Sequence, residues 1–370
     1  MNRPPVDRNP VLLVSLADFP PLARFRRRLL DLPVEQLDSN WEDVLLPYGA
    51  ALAGAAWNDP ELTAWARRWA DRQLAAGVQV IPQREDCAVP AKSGFFLNEY
   101  CGIWGGPLVL SALAEFSPQS GDRDAIVTIC DYVLTGGTRL DGGILAHGGW
   151  PDARRTAWVD TLFYSASVLA AGYRVTGNVA YADEAMKQCL LHARYLRDET
   201  TGCFFHDVDP ATGRRSPSLW SRGNGWVMLS FADTLEACPA DTAEWKNLLA
   251  LYRSLAAGLL RLQHPCGLWR IVPECEESHL ETSGSTMILA GLAAGVSAGW
   301  LDASVMQPVL RGWRELLEWI VPQTGALVGA QFPAGVGGWE IHKLSGLGER
   351  TYATGLFLRL VAQLKRSGAL

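Results

Sequence analysis

Three segments of the chain bring together side chains suited to proton transfer and to holding a charged ring. The first runs His147-Gly-Gly-Trp150-Pro-Asp152-Ala-Arg-Arg-Thr-Ala-Trp158-Val-Asp160-Thr-Leu-Phe-Tyr164. Asp160 opens a strongly apolar stretch, and an acid there can simply cap a helix or complement its dipole. Held at a loop–helix junction beside aromatics, the same carboxylate would lose solvation. Its pKa would then rise toward that of a general acid. The second segment, Trp220-Ser-Arg222-Gly-Asn-Gly-Trp226, sets a planar cation between two aromatic faces. That suits a carboxylate and a sugar ring together, although a purely structural Arg–Trp stack uses the same residues. Its glycines do not form GxGxxG and no strand precedes them, which argues against a nucleotide. The third, Phe204-Phe205-His206-Asp207-Val-Asp209, places His206 in a polar loop. Tyr48-Gly49 in an apolar helical run and Glu281-Thr-Ser283-Gly-Ser285 complete the set. His192, His264, His279 and His342 read as structural or surface residues, and no GxSxG elbow supports a nucleophilic triad.

The elements that must position these residues are helices almost throughout. Apolar residues recur at 3.6 spacing over 21–30, 42–57, 61–75, 106–116, 124–134, 158–175, 180–196, 225–237, 242–262, 283–298, 303–320 and 352–364. Asp59-Pro60, Gly177 and Asp302 supply start and stop signals. Strand patterns are short and confined to 78–81 and 332–341. Long loops rich in Gly, Pro, Trp, His and Asp cover 77–100, 136–157, 198–222, 264–282 and 322–350, while the intervening connections are short. Helix pairs recurring every 50–60 residues, with long loops at one end only, predict an all-α toroid of six helical hairpins. An open solenoid would show clearer repeat identity. No linker is visible. The expectation is one domain over 1–370, with an irregular extension over 1–20.

Composition narrows the function classes. The chain has 370 residues and a net charge of −6, with 19% charged and 48% hydrophobic residues, so it is neither disordered nor basic enough for a general nucleic-acid binder. No apolar run reaches the roughly 20 residues of a membrane span, and the N-terminus lacks a signal-peptide core. A soluble, cytoplasmic protein is expected. The eight cysteines (87, 101, 130, 189, 203, 238, 266 and 275) include no CxxC pair, and the six histidines lie far apart, so neither disulfides nor a metal site is expected. Fifteen tryptophans supply flat faces for core packing and for stacking on sugars.

Taken in order, the 158–163 stretch, the 220–226 segment and Glu281-Thr-Ser-Gly-Ser-Thr-Met287 resemble the unsaturated rhamnogalacturonyl hydrolases, glycoside hydrolase family 105, and the related unsaturated glucuronyl hydrolases of family 88. The resemblance spans about Trp41 to Leu364 and implies a six-hairpin α/α barrel without a cofactor. It implies a small acidic oligosaccharide as substrate, from which an unsaturated uronic acid is released by hydration of its C4–C5 double bond. Asp160 matches the family's catalytic aspartate. His147 and His206 lie where the family places pocket histidines, Trp220, Arg222 and Trp226 fall on its substrate-binding motif, and Tyr48 matches a nearby aromatic; Trp150, close to His147 in sequence, is a further substrate-binding candidate. The family's second aspartate has no counterpart, because the chain reads Leu97-Asn98-Glu99-Tyr100-Cys101-Gly102 there. Asn98 or Glu99 is the expected substitute. Three rival readings remain: an inverting hydrolase of saturated uronides using Asp160 and Glu99, an epimerase or isomerase using His147 and His206, and a non-catalytic carbohydrate-binding protein.

Overall fold

Whether a helix is apolar on all faces or on one stripe sorts it to the inside or the outside of a ring. Ser221–Ala237 is buried continuously from Ser221 to Leu235, and Thr282–Ser297 from Thr282 to Ala293. Such helices need neighbours all round. Met306–Glu318 instead buries only Val309, Gly312, Trp313 and Leu316, a single stripe against the layer beneath.

The computed structural model describes Leu16, residues 19–82 and residues 93–370, so nearly all of the expected 1–20 extension, and Cys87, lie outside the described residues. Among the described residues, six helical stretches surround the axis: Leu45–Trp57, Gly106–Ala114, the run from Val159 to Thr176, Ser221–Ala237, Thr282–Ser297 and Thr351–Arg366. Each packs on the next and the last packs on the first, closing the ring. Pro60–Ala76, Asp122–Thr135, Val179–Leu196, Ala243–Arg261 and Met306–Glu318 each fold back outside the inner helix before them. Pro20–Leu30 supplies the sixth outer helix, with Phe25 edge-on to Phe357 at 5.0 Å. This is an (α/α)6 barrel, as the hairpin count predicts.

Closure depends on two glycines. A Cβ on Gly49 would sit 1.9 Å from the carbonyl oxygen of Gly355, and one on Gly355 would sit 1.9 Å from that of Leu45. The first and last inner helices therefore meet backbone to backbone, where no side chain fits.

The inner helices all start at the same mouth of the barrel, and short ladders tie the loops there. Val78–Val80 pairs with Phe95–Leu97 in parallel, Val78 opposite Phe95. Ala157–Trp158, Asp207–Asp209 and Arg214–Arg215 form an antiparallel ladder, as do Trp269–Arg270 with Leu280–Glu281 and Ala330–Gln331 with Leu347–Gly348. First-turn N–H groups, which have no partner within their helix, donate to the following loop: Val159 to the His206 carbonyl (3.0 Å), Ser221 to Ile271 (2.9 Å) and Thr282 to Gly329 (3.0 Å). The strand expected over 332–341 does not form. Pro333, Gly335, Gly337 and Gly338 interrupt the alternation, and Trp339–His342 is a short helix instead. No helix among the described residues is long and apolar enough to cross a membrane.

Candidate active site

Four inner helices begin in the same way. An extended residue (Trp158, Trp220, Glu281 or Arg350) takes the N-cap position, and two residues later the chain presents Asp160, Arg222, Ser283 or Tyr352. The helix carrying Arg222 starts at Ser221 rather than near 225, so the glycine-rich segment is its first turn and not a loop. Gly223 and Gly225 serve packing there: Cβ atoms would fall 2.8 Å from Trp220 and 2.7 Å from Met287. Directly after Asp160 the helix widens into a π-helical turn over Phe163–Ser167, a distortion that often accompanies a functional site.

The first turns carrying Asp160 and Arg222 line a cavity of about 670 Å³. Asp160 Oδ2 lies 3.3 Å from His206 Nε2, and neither atom has a hydrogen-bond partner, nor has His206 Nδ1. His206 is 1% exposed, edge-on to Trp158 (5.0 Å) and tilted over Trp220 (4.2 Å). His147 stacks flat on Trp158 at 4.0 Å, and Trp150 continues the same parallel shelf, 42% exposed at the rim. Arg222 is 2% exposed, its guanidinium lying over Trp220 at 4.5 Å and over Tyr352 at 5.2 Å. Its Nη1 donates to the Gln331 carbonyl and to Tyr352 Oη, each at 2.6 Å, while its Nε is buried with no partner. Among the described residues it is the one Lys or Arg side chain lining the cavity.

The charges settle each other. Burial pushes the Asp160 carboxyl up, but the close approach of His206, ahead of His147 and Arg222, outweighs it and holds the group below the usual carboxylate range. This corrects the expectation that desolvation would dominate. His147 is driven down to about 4 by burial and by His206, against the pull of Asp160, and so is neutral near pH 7. Six inner-helix N-termini facing this mouth add positive dipole ends. The free enzyme presents an ionised carboxylate, neutral imidazole at His147 and one half-satisfied guanidinium.

A family model for Glycosyl Hydrolase Family 88 matches residues 26–366. The chain belongs to that family. The unsaturated 3S-rhamnoglycuronyl hydrolase of Alteromonas sp. (strain LOR) is 26% identical over 278 residues, which cover 68% of this chain and 63% of the relative. The match thus spans just under two thirds of that relative's length. The unsaturated rhamnogalacturonyl hydrolase YesR of Bacillus subtilis (strain 168) is 26% identical over 286 residues, 75% of this chain and 76% of YesR. A crystal structure of a possible GH105 member from Salmonella enterica serovar Paratyphi A superposes with a TM-score of 0.82, at 19% identity, over 97% of this chain and 96% of that one. That likeness is in the fold.

In this family 88 protein the cavity gathers Asp160, His147, Trp150, His206, Trp220 and Arg222 from the residues expected by sequence. Four others stand elsewhere. Trp226 is fully buried one turn deeper, packed on Phe163 at 4.7 Å. Tyr48 lines a different cavity and accepts a hydrogen bond from Arg359 (3.2 Å). Asn98 closes a turn, its Oδ1 accepting the Tyr100 N–H at 2.8 Å. Glu99 is 39% exposed beside Arg154 (3.1 Å) and does not line the cavity. Sequence reading missed the support behind Arg222. Trp220 Nε1 donates to Gln331 Oε1 (2.8 Å), which orients that amide so that its Nε2 donates to His342 Nδ1 (3.1 Å). His342, expected to be structural or on the surface, is a buried part of this wall, and burial drives its pKa down to about 3. Tyr352 could have been found from its N-cap-plus-two position, shared with Asp160 and Arg222.

Proposed function

We propose that the protein releases a 4,5-unsaturated uronic acid from the non-reducing end of oligosaccharides made by polysaccharide lyases. The single observation carrying this reading is that Asp160 and Arg222 occupy equivalent first-turn positions around one cavity, each with a buried atom lacking a partner. Arg222 receives the uronate carboxylate. Its Nε is buried without a partner, the residue lines the cavity, and a guanidinium fork binds a planar carboxylate through parallel hydrogen bonds. Binding there partly neutralises the cation that helps hold the Asp160 pKa down and brings a negative charge into the cavity. Both changes raise the proton affinity of Asp160.

Protonated Asp160 delivers its proton to C4 of the C4–C5 double bond, and positive charge develops at C5 next to the ring oxygen. Water adds at C5 while the Asp160 carboxylate takes back a proton. The product is a hemiketal, which opens with loss of the leaving sugar. Net, one water is consumed and one glycosidic linkage is broken. The names of the two curated relatives support unsaturated uronides as the substrate class. The inverting two-carboxylate alternative loses support, because Glu99 stands outside the cavity. Cleavage at small, soluble lyase products places the enzyme after a lyase in the reaction sequence.

The test is to incubate the protein with lyase-generated disaccharides and follow the ultraviolet absorbance of the conjugated acid. Absorbance should disappear with sugar release, and carboxyl-reduced analogues should react far more slowly. Arg222→Lys should weaken capture of the acidic substrate by about 1.5–3 kcal/mol, the range for a hydrogen bond to a charged group. Release from saturated uronides alone would overturn the reading.

A further inference from the structure

His147 touches the cavity, yet one of its ring nitrogens is turned into the protein. Nδ1 lies 3.3 Å from Cys101 Sγ and 3.3 Å from Thr161 Oγ1, both on residues with 0% exposure. The same two loops are joined at the backbone, where the Cys101 N–H donates to the His147 carbonyl at 3.2 Å. Gly148 makes that approach possible: its φ is +75°, and a Cβ there would lie 2.0 Å from the Glu99 carbonyl oxygen. Cys101 is thus fastened to His147 through main chain and side chain together. No function described above uses its thiol.

We propose that Cys101 is a positioning residue, whose thiol donates to His147 Nδ1 and holds the imidazole in the tautomer that carries its proton on Nε2, toward the cavity.

The argument is one of donor bookkeeping. A neutral imidazole has one N–H and one bare nitrogen. The charged and titratable groups near the ring are Asp160 and His206, with the Tyr100 ring edge-on at 5.5 Å and Trp158 on its face. An ionised Asp160 on the cavity side favours a donor there, which leaves Nδ1 as the acceptor. Its two neighbours, a thiol and a hydroxyl, can both supply a hydrogen. A thiol is also the donor that loses least on complete burial, because it behaves largely as a small apolar group. The resulting Nε2–H is a fixed donor in the cavity. It can hold the Asp160 carboxylate or a substrate oxygen without itself changing charge. The catalytic consequence rests on the hydration reading proposed above; the tautomer does not.

The experiment labels histidine with nitrogen-15 and records long-range proton–nitrogen correlations, with the His147 signal assigned by its loss in His147→Gln. Wild type should show the Nε2–H pattern, Cys101→Ser should keep it, and Cys101→Ala should lose it or show a mixture. On lyase-generated disaccharides, Cys101→Ala should lower kcat by about 10- to 100-fold, the range known for removing the partner that orients a metal-ligating histidine. KM should stay within about twofold, and Cys101→Ser should restore most of kcat. An Nδ1–H pattern in the wild type overturns the proposal, whether or not the alanine variant folds. So does an alanine variant whose tautomer and kcat match the wild type. Should the nitrogen pattern follow expectation while lyase products are not turned over, the assignment of Cys101 stands and the hydration reading falls.

Discussion

The two ends of the barrel are built from the same inner helices but treat buried charges in opposite ways. At the end where these helices start, Asp160 Oδ2, both His206 nitrogens and Arg222 Nε are buried without partners. Further along the axis, a second cavity of about 430 Å³ is lined by Tyr48, Arg174, Asp233 and Glu236 among others. There the charges are matched. Arg359 grips Asp233 with Nη2–Oδ1 at 2.6 Å and Nη1–Oδ2 at 3.2 Å, and Nη1 also reaches Tyr48 Oη. Burial pushes the Tyr48 hydroxyl up to about 12, so it stays neutral and cannot compete with Asp233. A buried polar atom without a partner costs stability and is kept where a ligand completes it; a satisfied pair serves the scaffold. Both regions hold a buried arginine. Only Arg222 lines its cavity; Arg359 stands behind the Tyr48 and Asp233 side chains that line the other.

The comparison breaks most visibly if the paired end is unpaired. Asp233→Asn would leave the Arg359 guanidinium, which cannot shed its charge, facing a neutral amide in a site where both side chains are about one-tenth exposed. Removing one partner of a buried pair costs about 3–5 kcal/mol. Urea unfolding should register that loss, while turnover per folded molecule on lyase products stays near wild type. A large loss of turnover with unchanged stability would move this pair into the functional machinery.

At the unpaired end the expectation is reversed. Asp160→Asn should lower the unfolding midpoint less than Asp233→Asn does, because the carboxylate has favourable charge interactions but no complete hydrogen bond to lose. Turnover should fall by at least about a hundredfold, the usual scale for a missing general acid or base. Near-native turnover would remove Asp160 from its role.

How far the sequence could be read follows the same division. The barrel was legible because twelve apolar stripes at helical spacing, with long loops at one end, admit few other arrangements. Asp160 and Arg222 were legible because they stand at loop–helix junctions, and His147 and His206 because they lie in long polar loops beside them. Depth along the axis was not legible. Tyr48 and Trp226 lie on the right helices, a turn further in, and a 3.6 period shows which face a residue occupies without showing what fills the space beside it. Gln331, His342 and Tyr352 were passed over for another reason. They sit in or just after a Gly- and Pro-rich stretch without periodicity; Gln331 and Tyr352 meet Arg222 across more than a hundred residues of chain, and His342 joins them through Gln331.

A pH titration sharpens the comparison in another way. Burial holds His147 and His192 down near 4 and His342 near 3, against about 6.5 in the unfolded chain. The unfolded state therefore binds protons first on acidification. The stability contributed by keeping these rings neutral is complete above about pH 6.5 and is lost progressively as pH falls from there to about 4, at up to about 1.4 kcal/mol per pH unit for each ring. Urea midpoints at pH 7, 5.5 and 4.5 should fall in that order. His192 lies in the scaffold, its Nδ1 bonded to the Gln188 carbonyl at 2.8 Å, so His192→Gln should flatten the profile without altering the site. A flat wild-type profile would contradict the assignment of neutral buried rings.

The smallest effect is expected at Glu99, the carboxylate that sequence proximity would have placed beside Asp160. Its side chain is 39% exposed, and its partner Arg154 is 38% exposed at 3.1 Å. Such an ion pair contributes about 0–1 kcal/mol, since water competes for both ends and ordering two long side chains offsets the attraction. Glu99→Gln should shift the unfolding midpoint by no more than that and leave turnover on unsaturated disaccharides within about twofold of wild type. Asp160 differs from it by surroundings and not by chemistry. The same carboxyl group, moved from a half-exposed loop to a first turn among Trp158, His206 and Arg222, loses water that no protein donor fully replaces. A crippled Glu99→Gln enzyme with an intact fold would mean that the loop swings its acid into the cavity when substrate binds, and the two-carboxylate mechanism would return with Glu99 as the partner of Asp160.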